Sequence, residues 1–373
     1  MARSRPFIVD GHLDLATNAM AYNRDLTQPV YRIRQREREL NLADHPDRGR
    51  GTVALPELRK GRVGLVLATL IARYTPPGAG AQTVRLPGWH SAAQAWADAQ
   101  GQLAWYREME AQGEMVPIVS ATGLEDHLAH WARDTEDASK PIGYVLALEG
   151  ADSIVNLDYL HRYYQQGLRS IGPAHFGPGR YAAGTGLDGS GLTPEGRELL
   201  KEMADLKMLL DLTHLTDRGF FEALEIYEGP VAASHQNCRA LVAGERQFSD
   251  DQIRAVIERG GLLGGALDAW MLHPGYERGR DNSQELNILL ERVVDHFDHV
   301  CQLAGNCNHV GIGSDLDGLF GREQSPADLD TVADLQRLEE LLEGRGYGAA
   351  EREQVLSGNW LRVIRRVVGS SDH

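Results

Sequence analysis

The sequence predicts an α/β fold: a single (β/α)8 barrel domain of the TIM type, spanning residues 1–373 with loop insertions. Short apolar runs alternate with amphipathic segments of helical period, which is typical of a parallel sheet covered by helices. The chain of 373 residues is long enough for such a barrel, which takes about 250 residues, plus insertions. Histidines and carboxylates follow several of the apolar runs, where barrel enzymes place their functional side chains.

The candidate strands are nine apolar runs near residues 8, 65, 117, 146, 171, 210, 232, 263 and 311. Because a closed barrel of this type has eight strands, one of the nine is expected to be an extra or edge element. An open, doubly wound sheet is the alternative fold. It lacks its usual sign here, since no G-x-G-x-x-G sequence follows the first apolar run.

Helices are expected between the strands. Their predicted ranges are 91–112, 122–133, 158–166, 194–205, 217–227, 249–259, 283–303, 329–343 and 351–368. Thr193 followed by Pro194 is a typical helix start, because threonine caps the free N–H groups and proline suits the first helical position. The arginine-rich residues 19–50 are predicted to be an extended loop with at most one helical turn, and residues 74–88 a Pro/Gly-rich loop.

The composition is that of a soluble globular protein, with 42% hydrophobic and 24% charged residues and a net charge of −15. This acidic balance argues against nucleic acid and against anionic membranes as partners, because both attract basic surfaces. The three cysteines are too few for a disulfide framework, and their odd number fits a reducing compartment. No secretory signal or membrane span is visible, so we expect a cytoplasmic location.

The first motif with chemical content is Asp10-Gly11-His12-Leu13-Asp14, directly after an apolar run. In an extended segment His12 and Asp14 point to the same side, because side chains alternate with a period of two. An imidazole and a carboxylate in this arrangement form half of a site for a divalent metal such as zinc. Alone, the pair is more often just two polar residues that end a strand.

Five further residues follow predicted strands in the same way: Glu149, His175, His214, His235 and Asp315. Taken singly, each is more often an exposed strand-end group, a hydrogen-bonded core histidine or a helix N-cap. Taken together, they would crowd carboxylates and imidazoles at one rim of the barrel. Such crowding is costly without a cation, so the sequence predicts a metal centre at this rim.

A centre with two metal ions accounts for most of these residues. His12 and Asp14 are predicted to bind one ion and His214 and His235 the other, while the two oxygens of Glu149 bridge them. Two ions about 3.5–4 Å apart lower the pKa of a bridging water towards 7, which makes hydroxide available. Asp315 has no ligand role in this arrangement and is a candidate proton acceptor that passes the proton to a leaving amine.

The chain resembles the membrane (renal) dipeptidase family of binuclear zinc metallopeptidases, within the amidohydrolase-type barrels. The resemblance runs over nearly the whole length and depends on several motifs in the same order. They include DGHLDL, LPELRKGRVG, ALEGADSI, GLRSIGPAHF, DLTHLTDRGFFEAL, HVGIGSDLDG and SGNWLRVIRRV. Several ordered motifs are far more specific than any single one.

The resemblance implies two Zn²⁺ ions per chain with the ligands predicted above, Glu149 as the bridge and Asp315 as the acid/base. It adds His175 as the group that contacts the scissile carbonyl and stabilises the oxyanion. It also adds Arg246, which would hold the C-terminal carboxylate of the substrate. The implied substrates are dipeptides, with tolerance for a D-residue at the C-terminal position, and the implied assembly is a homodimer.

The sequence departs from the family around the substrate. The segment FGPGRYAAGTG replaces a polar run after His175, and Gly264 to Trp270 replaces an Asn-Phe-Tyr-like run. Asp268, Trp270, Arg180 and Tyr181 are therefore hypothesised to line an altered pocket. Two alternative functions follow: a related hydrolase of N-acyl amino acids or lactones, and a non-catalytic metal-binding scaffold.

Three other polar residues are predicted to have structural roles and no part in the metal centre. Asp317, two residues after Asp315, is predicted to shape its loop beside Gly318. His296 and His299 are predicted to be a solvated pair on one face of a helix.

Overall fold

The computed structural model describes residues 5–75, 88–133, 137–187 and 189–369. Parallel strands form its centre. The strands are β1 (Ile8–Leu13), β2 (Val63–Leu70), β3 (Arg73–Tyr74), β4 (Gly88–Trp89), β5 (Met115–Pro117), β6 (Ile142–Glu149), β7 (Leu168–Gly172), β8 (Leu209–Asp211), β9 (Val231–Ala232), β10 (Leu263–Gly265) and β11 (Val310–Ile312).

Eight of these strands form the barrel, in the order β10-β11-β1-β2-β6-β7-β8-β9, and all the pairs are parallel. At the seam, the Ala233 N–H donates to the Leu262 carbonyl at 2.9 Å and the Gly264 N–H donates to the Ala233 carbonyl at 2.8 Å, which joins β9 to β10. The predicted barrel fold is confirmed. The extra element is β5, which pairs only with the beginning of β6.

Helices surround the barrel. They are α1 (Leu15–Met20), α2 (Val30–Glu39), α3 (Leu55–Lys60), α4 (Ala92–Ala111), α5 (Ala121–Ala132), α6 (Leu157–Gln165), α7 (Pro194–Asp205), α8 (Asp217–Ile226), α9 (Asp250–Glu258), α10 (Ala269–Leu272), α11 (Glu291–Ala304), α12 (Leu338–Gly344), α13 (Ala349–Glu353) and α14 (Asn359–Val368). Short 3₁₀ segments cover Asp137–Ser139, Ala151–Ser153 and Val332–Arg337, and Gln354–Gly358 is a π-helical turn. Among the described residues no helix has the length and apolar character that crossing a membrane requires.

Side-chain caps set several helix starts, as the sequence predicted. Thr193 accepts a hydrogen bond from the Gly196 N–H at 3.0 Å at the start of α7. Ser249 and Gln252 form a reciprocal capping box at the start of α9. These bonds satisfy N–H groups that a helix terminus otherwise leaves free.

Two predicted segments differ from the structure. Residues 19–50 contain the ten-residue helix α2, which the extended-loop prediction missed. The helix is held by a buried ion-pair network in which Arg24 contacts Glu37 at 2.8 Å and Asp47 at 3.0 Å. Charged residues are rarely buried unless they are paired. Because charged residues bury this helix, the sequence lacks the hydrophobic periodicity by which a helix is predicted. The predicted loop at 74–88 lies mostly outside the described residues.

The long helix predicted for residues 283–303 begins only at Glu291. Residues 283–290 form turns instead, in which the Ile288 N–H donates to the Ser283 carbonyl at 3.0 Å. Ile288 and Leu290 are buried although the segment is not helical, so a prediction from hydrophobic periodicity made the helix too long.

The interior of the barrel is apolar near the amino ends of its strands. Val9 of β1 and Leu65 of β2 pack in one buried cluster with Trp360 and Val363 of α14. The Trp360 indole N–H also donates to the carbonyl of Ile312 in β11 at 2.7 Å. This packing fills one end of the barrel and leaves the carboxyl ends of the strands for a polar site.

The seam strands approach each other closely beside the loop that follows β9. A Cβ atom on Gly313 would lie 1.7 Å from the carbonyl oxygen of Ser234, and one on Gly264 would lie 2.1 Å from the same atom. Only glycine fits such an approach. These two glycines therefore fix the position of Ser234 and of the neighbouring His235.

Candidate metal centre

The predicted site residues meet at the carboxyl ends of the barrel strands. Each belongs to the end of β1, β6, β7, β8, β9 or β11 or to the loop that follows it. A cavity of about 380 Å³ opens at this rim. It is lined in part by Asp14, Glu149, His175, His214, His235, Arg246 and Asp315. The structure thus brings together residues that span about three hundred positions of sequence.

Glu149 lies at the middle of the cluster, as the last residue of β6. Its Oε2 is 3.5 Å from His12 Nε2. Its Oε1 is 3.3 Å from His214 Nε2 and 3.5 Å from His235 Nε2. The two carboxylate oxygens therefore face the two predicted halves of the centre, which is the arrangement a bridging ligand requires.

His214, His235 and Glu149 present one ligand atom each to a common point. The two Nε2 atoms are 3.2 Å apart, which with the distances to Glu149 Oε1 makes a triangle of nearly equal sides. The centre of such a triangle is about 2 Å from each atom, which is the length of a zinc–nitrogen or zinc–oxygen bond. The donor set and its spacing fit one zinc ion.

Hydroxyl groups on the far side of the rings fix which nitrogen faces this point. His214 Nδ1 lies 2.9 Å from Thr185 Oγ1, and His235 Nδ1 lies 2.9 Å from Ser234 Oγ. If both Nδ1 atoms donate, both Nε2 atoms carry lone pairs that face each other. A cation between them relieves that repulsion, and hydrogen bonds of this kind commonly orient metal-binding histidines.

The other predicted half contains His12, Asp14 and Glu149, whose candidate ligand atoms all lie within 4.8 Å of one another. His12 Nε2 is 3.7 Å from Asp14 Oδ1. This nitrogen is buried and has no hydrogen-bond partner among the described residues. The hydroxyl of Thr69 donates to Asp14 Oδ1 and holds that carboxylate in place. An unpaired, buried imidazole nitrogen beside two carboxylates fits a metal ligand.

The electrostatic environment of the cluster stabilises positive charge. Burial raises the pKa of Glu149, but His12 and His175 outweigh it and hold that pKa well below its usual range. Burial lowers the pKa of His12, but Glu149, Asp14 and Asp315 outweigh it and raise that pKa to about 10. The carboxylates thus stabilise a cation at His12, and a metal ion supplies that charge in place of a proton.

Asp315 is placed beside the first half of the centre, with its Oδ1 3.9 Å from His12 Nε2. Burial, reinforced by Asp14 and Glu149, raises its pKa well above the usual range. Asp315 and His214 both have left-handed backbone conformations, with φ of +56° and +67°. Residues other than glycine rarely adopt this conformation, and it turns both side chains from the strand direction into the cavity.

His175 and Arg246 lie on the same cavity. His175 Nε2 is 3.8 Å from Glu149 Oε1, and burial lowers the pKa of its ring to about 4, so the imidazole is neutral. Arg246 is buried, and it donates to Gln236 Oε1 at 2.5 Å and to the His235 carbonyl at 3.0 Å. Burial lowers its pKa to about 10, which still leaves the guanidinium charged at neutral pH.

Sequence reasoning missed several residues that support this site. Ser234 directly precedes His235 in the loop after β9, and Thr69 lies near the carboxyl end of β2, so their positions offered a signal. Thr185 lies in the glycine-dense loop after His175 and contacts His214 only through the tertiary fold. Arg278 lines the cavity from a loop without regular structure, and no sequence pattern indicated it.

The hypothesis of an altered pocket is partly wrong. Trp270 lines the cavity and Asp268 lies buried beside it, but in the described part of the chain Arg180 and Tyr181 are not among the lining residues. The Tyr181 hydroxyl donates to the Ile154 carbonyl, and the Arg180 guanidinium donates to the Val155 carbonyl. Both side chains are engaged by the loop after β6.

Asp317 and the pair of histidines on α11 lie outside the cavity. Asp317 shapes its loop, as predicted, because its carboxylate accepts hydrogen bonds from the N–H groups of Thr52 and Val53. The prediction that His296 and His299 form a solvated pair is wrong. His296 is buried, and its Nδ1 accepts a hydrogen bond from the Cys238 N–H at 3.1 Å. His299 is partly buried and pairs with Asp250 at 2.8 Å.

Comparison with known families gives one match along almost the entire chain. Residues 3–372 match the model of a family described as membrane dipeptidase, peptidase family M19. This range includes every residue of the metal centre described above.

Comparison with curated proteins gives relatives of two kinds. A Klebsiella pneumoniae protein, described as uncharacterized and encoded in the pqqA 5′ region, is 33% identical over 278 residues. That match covers 71% of this chain and 94% of the relative. Dipeptidase 3 of Rattus norvegicus is 29% identical over 377 residues, which cover 98% of this chain and 66% of that protein.

Two solved structures resemble the fold over nearly their full length. A metallo peptidase of family M19, described as the dipeptidase AC, has a TM-score of 0.77 and 25% identity, with 98% of this chain and 100% of that chain covered. A metallo peptidase from Rhodobacter sphaeroides, solved with a phosphinate mimic of the dipeptide L-Ala-D-Ala, has the same TM-score and coverage at 24% identity.

Proposed function

This chain belongs to the membrane dipeptidase family and is a metallodipeptidase, and on that premise we propose that its centre holds two Zn²⁺ ions bridged by Glu149. The observation that carries the proposal is that the two oxygens of Glu149 face separate ligand groups. His12 and Asp14 would complete one site, and His214 and His235 the other. Bound in this way, two zinc ions would polarise the scissile carbonyl and lower the pKa of a shared water towards 7.

The remaining polar residues of the cavity have separate tasks in peptide hydrolysis. Asp315 would accept the proton of the attacking water and pass it to the leaving amine, a role that suits a buried carboxylate with a raised pKa. His175 would donate a hydrogen bond from its neutral ring to the oxyanion that develops on the carbonyl. Arg246 would hold the C-terminal carboxylate through a charge-assisted pair.

We propose dipeptides as substrates, including those with a C-terminal D-residue. Support comes from the size of the cavity, about 380 Å³, which suits a small ligand. The Rhodobacter sphaeroides structure holds a mimic of L-Ala-D-Ala. A buried arginine that lines the cavity, Arg246, also favours a ligand with a free carboxylate.

The deciding experiment measures metal content by plasma emission, together with hydrolysis of L-Ala-D-Ala and L-Ala-L-Ala by the same sample. We expect about two zinc ions per chain and turnover of at least one dipeptide. Two zinc ions with hydrolysis of N-acyl amino acids or lactones alone would replace the proposed substrate class. Two zinc ions without turnover on any of these compounds would favour a binding protein, and less than one metal that added zinc does not restore would refute the ligand assignment.

We also propose that the protein is a homodimer in the cytoplasm. The dimer is supported by the family resemblance. The location is supported by the three cysteines, which are all free thiols in the structure. Light scattering on the purified protein tests the dimer, and fractionation of the native cells tests the location.

A further inference from the structure

A second guanidinium lines the cavity, on the loop that follows α10. Arg278 donates from Nη2 to Asp268 Oδ2 at 2.5 Å. Its guanidinium carbon also lies 4.2 Å from the centre of the Trp270 ring. Arg278 is therefore held on two sides, by a carboxylate and by an aromatic face, although its side chain remains 43% exposed.

Asp268 is the anchor of this arrangement. Its side chain is 1% exposed, and it also accepts hydrogen bonds from Gln324 Nε2 at 2.8 Å and from the Trp270 N–H at 3.3 Å. A buried carboxylate with three donors is rigid, so the arginine that it holds is rigid too. Arg278, Trp270 and Gln324 all line the same cavity as the metal centre.

Arg278 lies close enough to Arg246 for its charge to lower the pKa of the Arg246 guanidinium. Two guanidinium groups on one cavity repel each other unless anions lie between or beside them. Asp268 compensates the charge of Arg278 through their ion pair. With two divalent ions bound, the cavity would still carry more positive than negative charge. A ligand with a single carboxylate would satisfy Arg246 and leave the exposed edge of Arg278 facing water.

We infer that Arg278 is a specificity-determining residue that selects dipeptides whose C-terminal residue has an acidic side chain. The α-carboxylate would bind Arg246 and the side-chain carboxylate would bind the exposed edge of Arg278. This inference rests on the proposed role of Arg246, because that role places the C-terminal residue in the cavity that Arg278 also lines. The planar fork of arginine suits a carboxylate better than the ammonium of lysine does.

The test compares acidic substrates with their neutral isosteres: L-Ala-D-Asp with L-Ala-D-Asn, and L-Ala-D-Glu with L-Ala-D-Gln. We expect the zinc-loaded enzyme to favour the acid over the amide by about tenfold or more in kcat/KM. Arg278→Met removes the charge but keeps a long unbranched side chain beside Trp270, and it should bring this ratio close to one. Arg278→Lys keeps the charge and should retain part of the preference.

Arg280→Met is the matched control, because Arg280 lies on the same loop, is 66% exposed and pairs with Glu277 and Asp281. This variant should keep the wild-type acid-to-amide ratio. Thermal unfolding of each variant shows whether the fold is intact. An Arg278→Met enzyme that keeps the wild-type ratio, or that loses kcat/KM equally on acids and amides, would overturn the inference.

A binding measurement separates this inference from the proposed function. Calorimetry with phosphinate mimics of L-Ala-D-Asp and L-Ala-D-Asn reports the acid preference without turnover. Tighter binding of the acidic mimic that Arg278→Met abolishes would support the inference even if no peptide were cleaved. Equal binding of the two mimics, or binding of neither, would refute it.

Discussion

Ser234 connects the two halves of the metal centre through one hydroxyl group. Its Oγ lies 3.0 Å from His12 Nδ1 and 2.9 Å from His235 Nδ1, so it can accept a hydrogen bond from a ligand of each proposed ion. Thr213 Oγ1 lies 3.4 Å from Ser234 Oγ and can accept the proton of that hydroxyl. The hydroxyl thereby holds both rings with Nε2 towards the proposed ions.

Ser234→Ala should weaken metal binding by about tenfold to a hundredfold, because two ligand rings lose the group that orients them. Competition with a chromogenic chelator measures this affinity without any substrate. Ser170→Ala is the control, since Ser170 is as buried but its hydroxyl has no hydrogen-bond partner among the described residues. Equal metal affinity in the two variants would contradict the orienting role.

Asp315→Asn should lower kcat by about a hundredfold or more while about two zinc ions stay bound, because the amide cannot accept the proton of the attacking water. Steady-state kinetics and metal analysis on one sample check this. Full turnover with both metals present would show that proton transfer does not depend on Asp315. Loss of zinc from the variant would instead indicate that Asp315 is a metal ligand.

At the scale of a single element, α11 contains the buried His296, whose ring accepts the Cys238 N–H from the loop after β9. Burial lowers the pKa of His296 from 6.5 to about 4; Asp295 raises it slightly, and His299 lowers it. Because the folded-state pKa lies below the unfolded one, the unfolded state binds a proton first as the pH falls. His296 therefore contributes stability above about pH 6.5 that is lost towards pH 4.

His296→Asn should flatten the pH dependence of the unfolding free energy between about pH 6.5 and 4. The wild-type slope should exceed that of the variant by up to about 1.4 kcal/mol per pH unit, which corresponds to one proton. Denaturant unfolding at several pH values measures both slopes. A constant difference between wild type and variant would report only the lost hydrogen bond, and would show that His296 does not titrate in this way.

At the scale of the whole molecule, the metal centre joins residues from six strand ends, so metal binding is coupled to the stability of the barrel. Removal of metal with a chelator should lower Tm by several degrees. A ligand that binds only the folded state adds about 4 kcal/mol when its concentration is a thousand times its Kd.

Differential scanning calorimetry of the metal-free protein, before and after zinc is added, checks this prediction. Zinc should restore Tm, whereas calcium should not, because calcium prefers all-oxygen ligands and this site offers three imidazoles. Identical Tm values with and without metal would show that metal binding does not stabilise the folded barrel.

Much of the fold and of the centre could be predicted because the relevant signals are local. The apolar run before Glu149 indicates a buried parallel strand, and a carboxylate at its end can only face the rim. The same reasoning placed His12, His214, His235 and Asp315 at that rim. Parallel strands carry their carboxyl ends to one side of a barrel, so residues far apart in sequence converge without any knowledge of side-chain contacts.

Some features depend on long-range contacts between polar groups. The helix α2 is buried through Arg24, Glu37 and Asp47, and hydrophobic periodicity cannot detect charged residues that bury one another. The single-domain organisation over residues 1–373 stays a prediction. Arg180 and Tyr181 were misplaced because loop conformation depends on hydrogen bonds to distant carbonyls.

The sequence by itself therefore determined the barrel, the rim on which the site lies and the kinds of ligand present there, because strand period and strand-end chemistry are properties of short segments. Only the tertiary structure decided which oxygen of Glu149 faces which histidine, and that Ser234 serves two rings. It also decided that Arg278 faces the cavity beside Trp270. These depend on atoms that long loops bring together, and the conformation of a long loop is fixed by its contacts with the rest of the molecule.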